Sequence, residues 1–238
     1  VFAPEGYPVI AGTALVSLVL AGTGYMWSSS WSLFLYAASA LLFGFTLYFF
    51  RDPERIPEKN LDTKHLVLAP ADGRIVTIEN VREAPFINGN AIQISIFLSI
   101  FDVHVNRIPA NGVLRQVDYR PGAYHIAWHP KASEKNEHAA FGLEHPSGTR
   151  LYFKQIAGLV ARRIIYHVEE GDTVHAGERF GVIRFGSRMD VLVPSTVSLE
   201  VEEGDRVRAG LSVLGRIPSG SAVKTPALGG ERTEVIGK

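Results

Sequence analysis

Residues 181–194 read GVIRFGSRMDVLVP, and the pair in that stretch able to do covalent chemistry is Gly186-Ser187. Glycine leaves its own carbonyl carbon open to approach and permits backbone angles closed to other residues. The Ser187 hydroxyl can then attack the Gly186 carbonyl and turn the amide into an ester. β-Elimination cuts the chain and leaves dehydroalanine, which hydrolyses to a pyruvoyl group. That ketone is an electron sink made from the chain itself, comparable to PLP. The dipeptide alone is weak evidence, because Ser219-Gly220-Ser221 holds another Gly-Ser and a plain hairpin turn is the simpler reading.

Other residues able to help are few. Of the 8 histidines, His104 stands apart because it follows a strongly apolar strand, where burial and a carboxylate neighbour can tune an imidazole. His125, His129, His138 and His145 fall in or near a polar stretch, 129–148, that reads as a mobile loop; His167 and His175 read as surface positions. Asp72 opens an Asp-Gly turn, a role compatible with a chemical one. Arg162 and Arg163 could pair with a phosphate or simply snorkel at a membrane surface. There is no H-E-x-x-H spacing and no cysteine, so neither a metal site nor a thiolate nucleophile is expected. Lys+Arg and Asp+Glu both total 24, which gives no basic surplus for nucleic acid.

The elements that must position these residues are mostly strands. HLVLAPADGRIVTIENV reads as strand, turn, strand; AIQISIFLSIFDVHVNRIPANGVLRQVDYR reads as a long apolar strand, an irregular turn near Asp102-Val103-His104, and a hairpin through Asn111-Gly112. SIFLSIF reads as a buried strand, and QIAGLVARRI as strand or a helical turn. VEEGDTVHAG (168–177) recurs as VEEGDRVRAG (201–210). Two such units flanking a hairpin resemble the barrel-sandwich fold of lipoyl and biotinyl carrier domains, with Phe185-Gly186-Ser187-Arg188 at the hairpin tip where carriers display a lysine. The expected fold is therefore mostly β (α+β), a lipoyl-like barrel-sandwich domain behind an N-terminal membrane hairpin.

That hairpin is read from two charge-free runs, 9–26 and 31–50, each near the ~20 residues that span a bilayer, with Trp27 and Trp31 between them. A cleaved signal peptide fits less well, since the start is not basic and a second apolar run follows. Arg51 and Arg55 follow at once and put the main body on the cytoplasmic side. The expected division is a membrane anchor over 1–52, a catalytic domain over 53–218, and a disordered tail over 219–238.

FRDPER, APADG, SIFLSIFDVHVNRIPANG, SEKNEHAAF, QIAGLVARRI and AGERFGVIRFGSRMDVLVP occur in this order, and together they resemble the short form of the phosphatidylserine decarboxylase family. The resemblance runs from about Phe50 to Pro218. It implies a proenzyme that cuts itself between Gly186 and Ser187, a pyruvoyl cofactor derived from Ser187, and no metal or PLP. It implies conversion of phosphatidylserine to phosphatidylethanolamine and CO2 at the cell membrane, by a heterodimer of the larger and smaller chains; homo-oligomerisation is left open. Asp72 matches a charge-relay aspartate of self-cleavage, and His104 an active-site histidine. Longer-form relatives carry a second histidine where this chain has Arg107, so either His104 serves both steps or another group replaces the missing base. Two rival readings stand beside this one. A non-enzymatic membrane adaptor would explain the repeat and the anchor but not Gly186-Ser187, Asp72 or His104. A pyruvoyl decarboxylase of soluble amino acids would leave the hairpin unexplained.

Overall fold

Two apolar helices come first, α1 (Tyr7–Trp27) and α2 (Trp31–Phe49), in a computed structural model that describes residues 1–27, 30–55, 63–83, 86–122, 136–158, 164–183 and 187–218. With 21 and 19 residues at ~1.5 Å each, both are about as long as a hydrocarbon core is thick. Their outer faces leave Leu15, Leu18, Leu33 and Leu41 exposed, so they are not core helices of a globular domain. Ser17 and Ser39 each donate a hydroxyl hydrogen bond to the other's carbonyl (3.2 and 2.8 Å), joining the helices midway along their length.

The rest is mostly β. The strands are β1 (Leu66–Leu68), β2 (Gly73–Glu83), β3 (Gly89–Leu98), β4 (Val105–Arg107), β5 (Gly112–Arg120), β6 (His138–Glu144), β7 (Arg150–Ile156), β8 (Ile164–Tyr166), β9 (Thr173–Val174), β10 (Arg179–Ile183), β11 (Ser187–Pro194), β12 (Ser198–Leu199), β13 (Arg206–Val207) and β14 (Val213–Arg216). A curled eight-stranded antiparallel sheet has the order β13-β2-β3-β11-β7-β6-β5-β9, and two three-stranded sheets have the orders β1-β14-β12 and β4-β10-β8. Alternation along the strands sends Ile94, Ile96, Met189, Val191, Leu151 and Phe153 to one face. There Phe141, Phe153 and Phe180 meet with ring centroids 5.1 to 5.4 Å apart.

The repeat seen in the sequence extends through this whole domain. Its two copies hold β9 and β13, which sit at opposite edges of the large sheet. Gly171 and Gly204 take matching left-handed angles (φ 98° and 95°), and their N–H groups bond Leu114 O and Ile75 O at 2.7 and 2.8 Å. The registers Ile75↔Ile96 and Leu114↔Leu143, Ile96↔Met189 and Leu143↔Leu151, and Val67↔Gly215 and Asn106↔Gly181 then superpose one half on the other. Half B is continuous, β4 to β10. Half A is β1 to β3 together with β11 to β14, so half B is inserted into half A. The chain crosses between halves twice, at 99–103 and at 184–186.

This topology corrects two expected hairpins. Strands β10 and β11 do not pair, because they belong to different sheets; Ser187 is no exposed tip but a fully buried residue opposite Leu98. Strands β4 and β5 likewise part company at Asn111, whose Oδ1 instead accepts the Ala176 N–H (2.9 Å). The expected polar loop over 129–148 becomes strand β6 from His138 onward, and His138 and His145 are buried rather than solvated. Cross-strand pairing and small apolar partners such as Ala139 and Ala140 outweigh the local polarity. His167 and His175 are exposed, as read. His125, His129, Arg162, Arg163, Gly186 and the tail lie outside the described residues.

Candidate active site

Ser187 is the first residue of β11 and shares the core-facing side with Met189 and Val191. It is 0% exposed, and its Oγ has no hydrogen-bond partner among the described residues. His104 stands just before β4, where the Ile183 N–H donates to its carbonyl (3.4 Å) and extends the β4–β10 ladder by one residue. The two crossings between halves thus deliver both residues to one corner: β3 ends beside Ser187 and runs through 99–103 to His104, and β10 ends beside His104 and runs through 184–186 to Ser187.

The His104 ring is 2% exposed. Its Nδ1 lies 2.9 Å from the Asp102 carbonyl. A carbonyl only accepts, so Nδ1 carries the proton of the neutral ring and Nε2 carries the lone pair. That Nε2 is buried and has no partner among the described residues. Burial lowers the His104 pKa to about 4, against the opposing bond to Asp102; the Arg51 charge lowers it further and the Asp72 charge raises it. At neutral pH the ring is uncharged, with its Nε2 lone pair free.

The end of α2 forms part of this site. Phe49, at the end of α2, packs on the His104 ring with centroids 4.1 Å apart. The turn before His104 is closed by the Ser99 N–H on Asp102 Oδ2 (2.8 Å) and the Asp102 N–H on Ser99 O (2.9 Å). It is seated on the helix end by Tyr48 OH and Arg51 Nη2, which donate to the Phe101 carbonyl at 3.1 and 2.8 Å.

Asp72 and His104 are not hydrogen-bonded to each other. The Asp72 carboxylate takes both guanidinium arms of Arg55 (2.5 and 2.7 Å) and the Ala209 N–H (2.8 Å). Arg55, expected as part of a basic flank to the second apolar run, is therefore drawn into the protein. Arg107, in the position of the missing histidine, donates to Gly177 O (2.8 Å) and faces Asp52, which also binds Arg179 (2.5 Å). Burial, the largest cause, and the Arg179 charge lower the Arg107 pKa against the Asp52 charge.

The sequence reading missed Phe49, Arg55, Gln155 and Asn106. Gln155 Nε2 donates to Asn106 Oδ1 across the two sheets (2.8 Å), and both residues are 0% exposed. A signal for Gln155 was present: it follows Leu151 and Phe153 at the two-residue period, so it holds an inward position. Among the described residues no group of three or more His, Asp or Glu is placed to hold a metal ion.

Residues 42–215 match the family model described as phosphatidylserine decarboxylase. A phosphatidylserine decarboxylase proenzyme of Salinibacter ruber is 56% identical over 200 residues, 82% of this chain and 87% of the relative. Proenzymes of the same name from Desulfotalea psychrophila and Symbiobacterium thermophilum are each 42% identical, over 90% and 92% of this chain and 96% of each relative. With a buried serine and an unpartnered imidazole at one corner of a duplicated β domain, and matches of this extent, the chain belongs to the phosphatidylserine decarboxylase family.

Proposed function

We propose that the chain cuts itself between Gly186 and Ser187 and then converts phosphatidylserine to phosphatidylethanolamine and CO2. The observation that carries this reading is the pairing of two buried, unpartnered groups at one corner, the Ser187 hydroxyl and the His104 Nε2 lone pair. They fit a ketone built from residue 187: a hydroxyl spent on no structural bond, beside a neutral base.

In self-cleavage, His104 Nε2 takes the proton of Ser187 Oγ as that oxygen bonds to the Gly186 carbonyl carbon. The Gly186–Ser187 C–N bond breaks and the nitrogen takes a proton, leaving an ester. Loss of the residue-187 Cα proton then expels the Gly186 carboxylate from Cβ, and water replaces the nitrogen as ammonia. The ketone so formed supplies an electron sink for the bond that releases CO2. His104 Nε2 afterwards holds the proton that the lipid's α-carbon regains. Asp72 acts on His104 through its charge, and it fixes Arg55 and the Ala209 turn beside the site.

The two products, 1–186 and 187–238, stay together as a heterodimer because β11 lies between β3 and β7 in the middle of the large sheet. On this reading the two apolar helices anchor the chain in the cell membrane and the site works at its cytoplasmic face, where the lipid headgroup lies; their length and exposed apolar faces support it. Phe49 makes the end of the anchor a wall of the site, which suits a substrate that never leaves the bilayer.

A denaturing gel with intact mass spectrometry tests this. Two fragments divided after Gly186, the smaller blocked by a pyruvoyl group, are expected from a sample that turns over phosphatidylserine in vesicles. An active sample containing only intact chain, or an inactive membrane protein that never splits, overturns the proposal; the latter outcome is that of an adaptor.

A further inference from the structure

Five buried polar atoms have no hydrogen-bond partner among the described residues: His65 Nδ1, His104 Nε2, Asn106 Nδ2, Gln155 Oε1 and Ser187 Oγ. Four of them belong to one corner. Gln155 lies directly opposite Met189, two residues along from Ser187 on the same face of β11. Asn106 lies two residues along from His104 on β4, on the face where it meets Gln155. The Gln155–Asn106 bond thus joins the two residues that stand next along their strands on the faces of Ser187 and His104, and all four side chains have an unused valence.

Leaving a buried polar atom unpaired is destabilising, because its lost hydration is not replaced. The duplicated fold shows that the frame does not demand it. Asn106 superposes on Val67 of β1, and Gln155 on Val193 of β11. Both valines are 0% exposed and part of the apolar core. Valine serves these two positions in half A, yet half B carries amides there, beside the reacting groups. Turning both amides over keeps their mutual bond and exchanges the free atoms, so the pair offers one amide N–H and one carbonyl oxygen in either assignment.

We propose that the Gln155–Asn106 amide pair is a further part of the active site: its free N–H donates to the oxygen of residue 187 while His104 takes that oxygen's proton. The inference rests on Ser187 being the reacting residue. The oxygen carries developing negative charge during the transfer, and a donor fixed in a dry interior stabilises it without reorganising. This arrangement also accounts for a serine whose hydroxyl has no other hydrogen bond, since that hydroxyl is held for a transfer rather than for the fold.

Asn106→Val and Gln155→Met, singly and together, test it with two readouts. One is the rate at which intact chain splits on a denaturing gel. The other is the melting temperature in a Ser187→Ala background, where every sample stays uncleaved. The proposal expects the double variant to split at least 10-fold more slowly while melting no lower than its background, because unpaired polar atoms have been removed. An unchanged splitting rate overturns it. So does a slower rate accompanied by a lower melting temperature, the pattern of a structural pair. Should the double variant fail to fold, Asn106→Val alone decides, with Val67 as the precedent within the same molecule. A parent chain that never splits refutes the cleavage reading itself, and so is told apart from failure of this inference.

Discussion

Half A starts from His65 and half B from His104, and the two histidines occupy the same point of the duplicated ladder. The Ile217 N–H donates to the His65 carbonyl at 2.8 Å, as the Ile183 N–H does to that of His104 at 3.4 Å. Their surroundings differ. His65 lies beside His145, with ring centroids 5.9 Å apart, whereas His104 lies against Phe49 of α2. Thr149 superposes on Ser187, and its hydroxyl is bonded to Ser147 Oγ (2.9 Å) where the Ser187 hydroxyl is unpartnered. Asn111 superposes on Asp72, and each accepts a backbone N–H from the repeat, Ala176 or Ala209. Only Asp72 adds a charge, and with it Arg55. In half B a five-residue turn, 145–149, joins β6 to β7; in half A the corresponding turn between β3 and β11 is replaced by the whole of half B. Duplication supplied the frame, and the residues proposed to react stand where the two halves depart from each other.

The sharpest break of this comparison is at the serine. Ser187→Ala has no oxygen to attack the Gly186 carbonyl and is expected to remain a single inactive chain. Thr149→Ala, its counterpart, is expected to split and turn over as the parent does. A gel on the two variants suffices, and a split Ser187→Ala chain removes the serine from the mechanism.

Next come the histidines. His104→Gln is expected to slow splitting by roughly 10²–10⁴-fold, the usual loss with a general base. His65→Gln is expected to leave the rate within a factor of about three, which lies inside ordinary scatter. Equal effects of the two would mean that both histidines serve the frame rather than the reaction.

A smaller effect is expected at the aspartate. Asp72→Asn keeps the acceptor for the Ala209 N–H, as Asn111 does for Ala176, but strands the buried Arg55 charge. Denaturant unfolding in the Ser187→Ala background should report a loss of about 3 kcal/mol. Adding Arg55→Met should recover part of it. If Asp72→Asn costs nothing, the carboxylate's charge has no structural role and belongs to the reaction alone.

The smallest effect is at the anchor. Phe49→Ala opens the His104 ring to water, so its pKa should rise from about 4 toward the ordinary 6.5. Splitting needs the neutral ring, and the acid limb of its pH profile should move upward in the same direction. Stability gives an independent reading. With the folded pKa below the unfolded value, the His104 contribution is full above pH 6.5 and lost as pH falls toward 4. Phe49→Ala should flatten that fall, compared with its own stability at pH 7. An acid limb that stays in place would show that the helix end does not control access to the ring.

Much of this could be read from the chain because it depends on local pattern. Charge-free runs of membrane-spanning length, strand alternation and the Gly-Asp repeat turns each carry their meaning within about twenty consecutive residues. Gly186-Ser187 and His104 were found through the chemistry their types allow and a co-linear family resemblance. Other features had to wait for tertiary structure, because their causes lie far apart in sequence. Ser187 reads as a hairpin tip, yet it is a buried strand residue, since β10 and β11 are claimed by different sheets. Asp72 reads as a charge-relay aspartate, and in the structure Arg55 takes its carboxylate while the Asp102 carbonyl orients the His104 ring. Gln155 and Asn106 lie 49 positions apart and meet only because β7 of the large sheet and β4 of a three-stranded sheet, both in half B, face each other across the interior. Local sequence sets which residues can form strands and which can react; the closing of two sheets around one interior decides which of them are left without a partner.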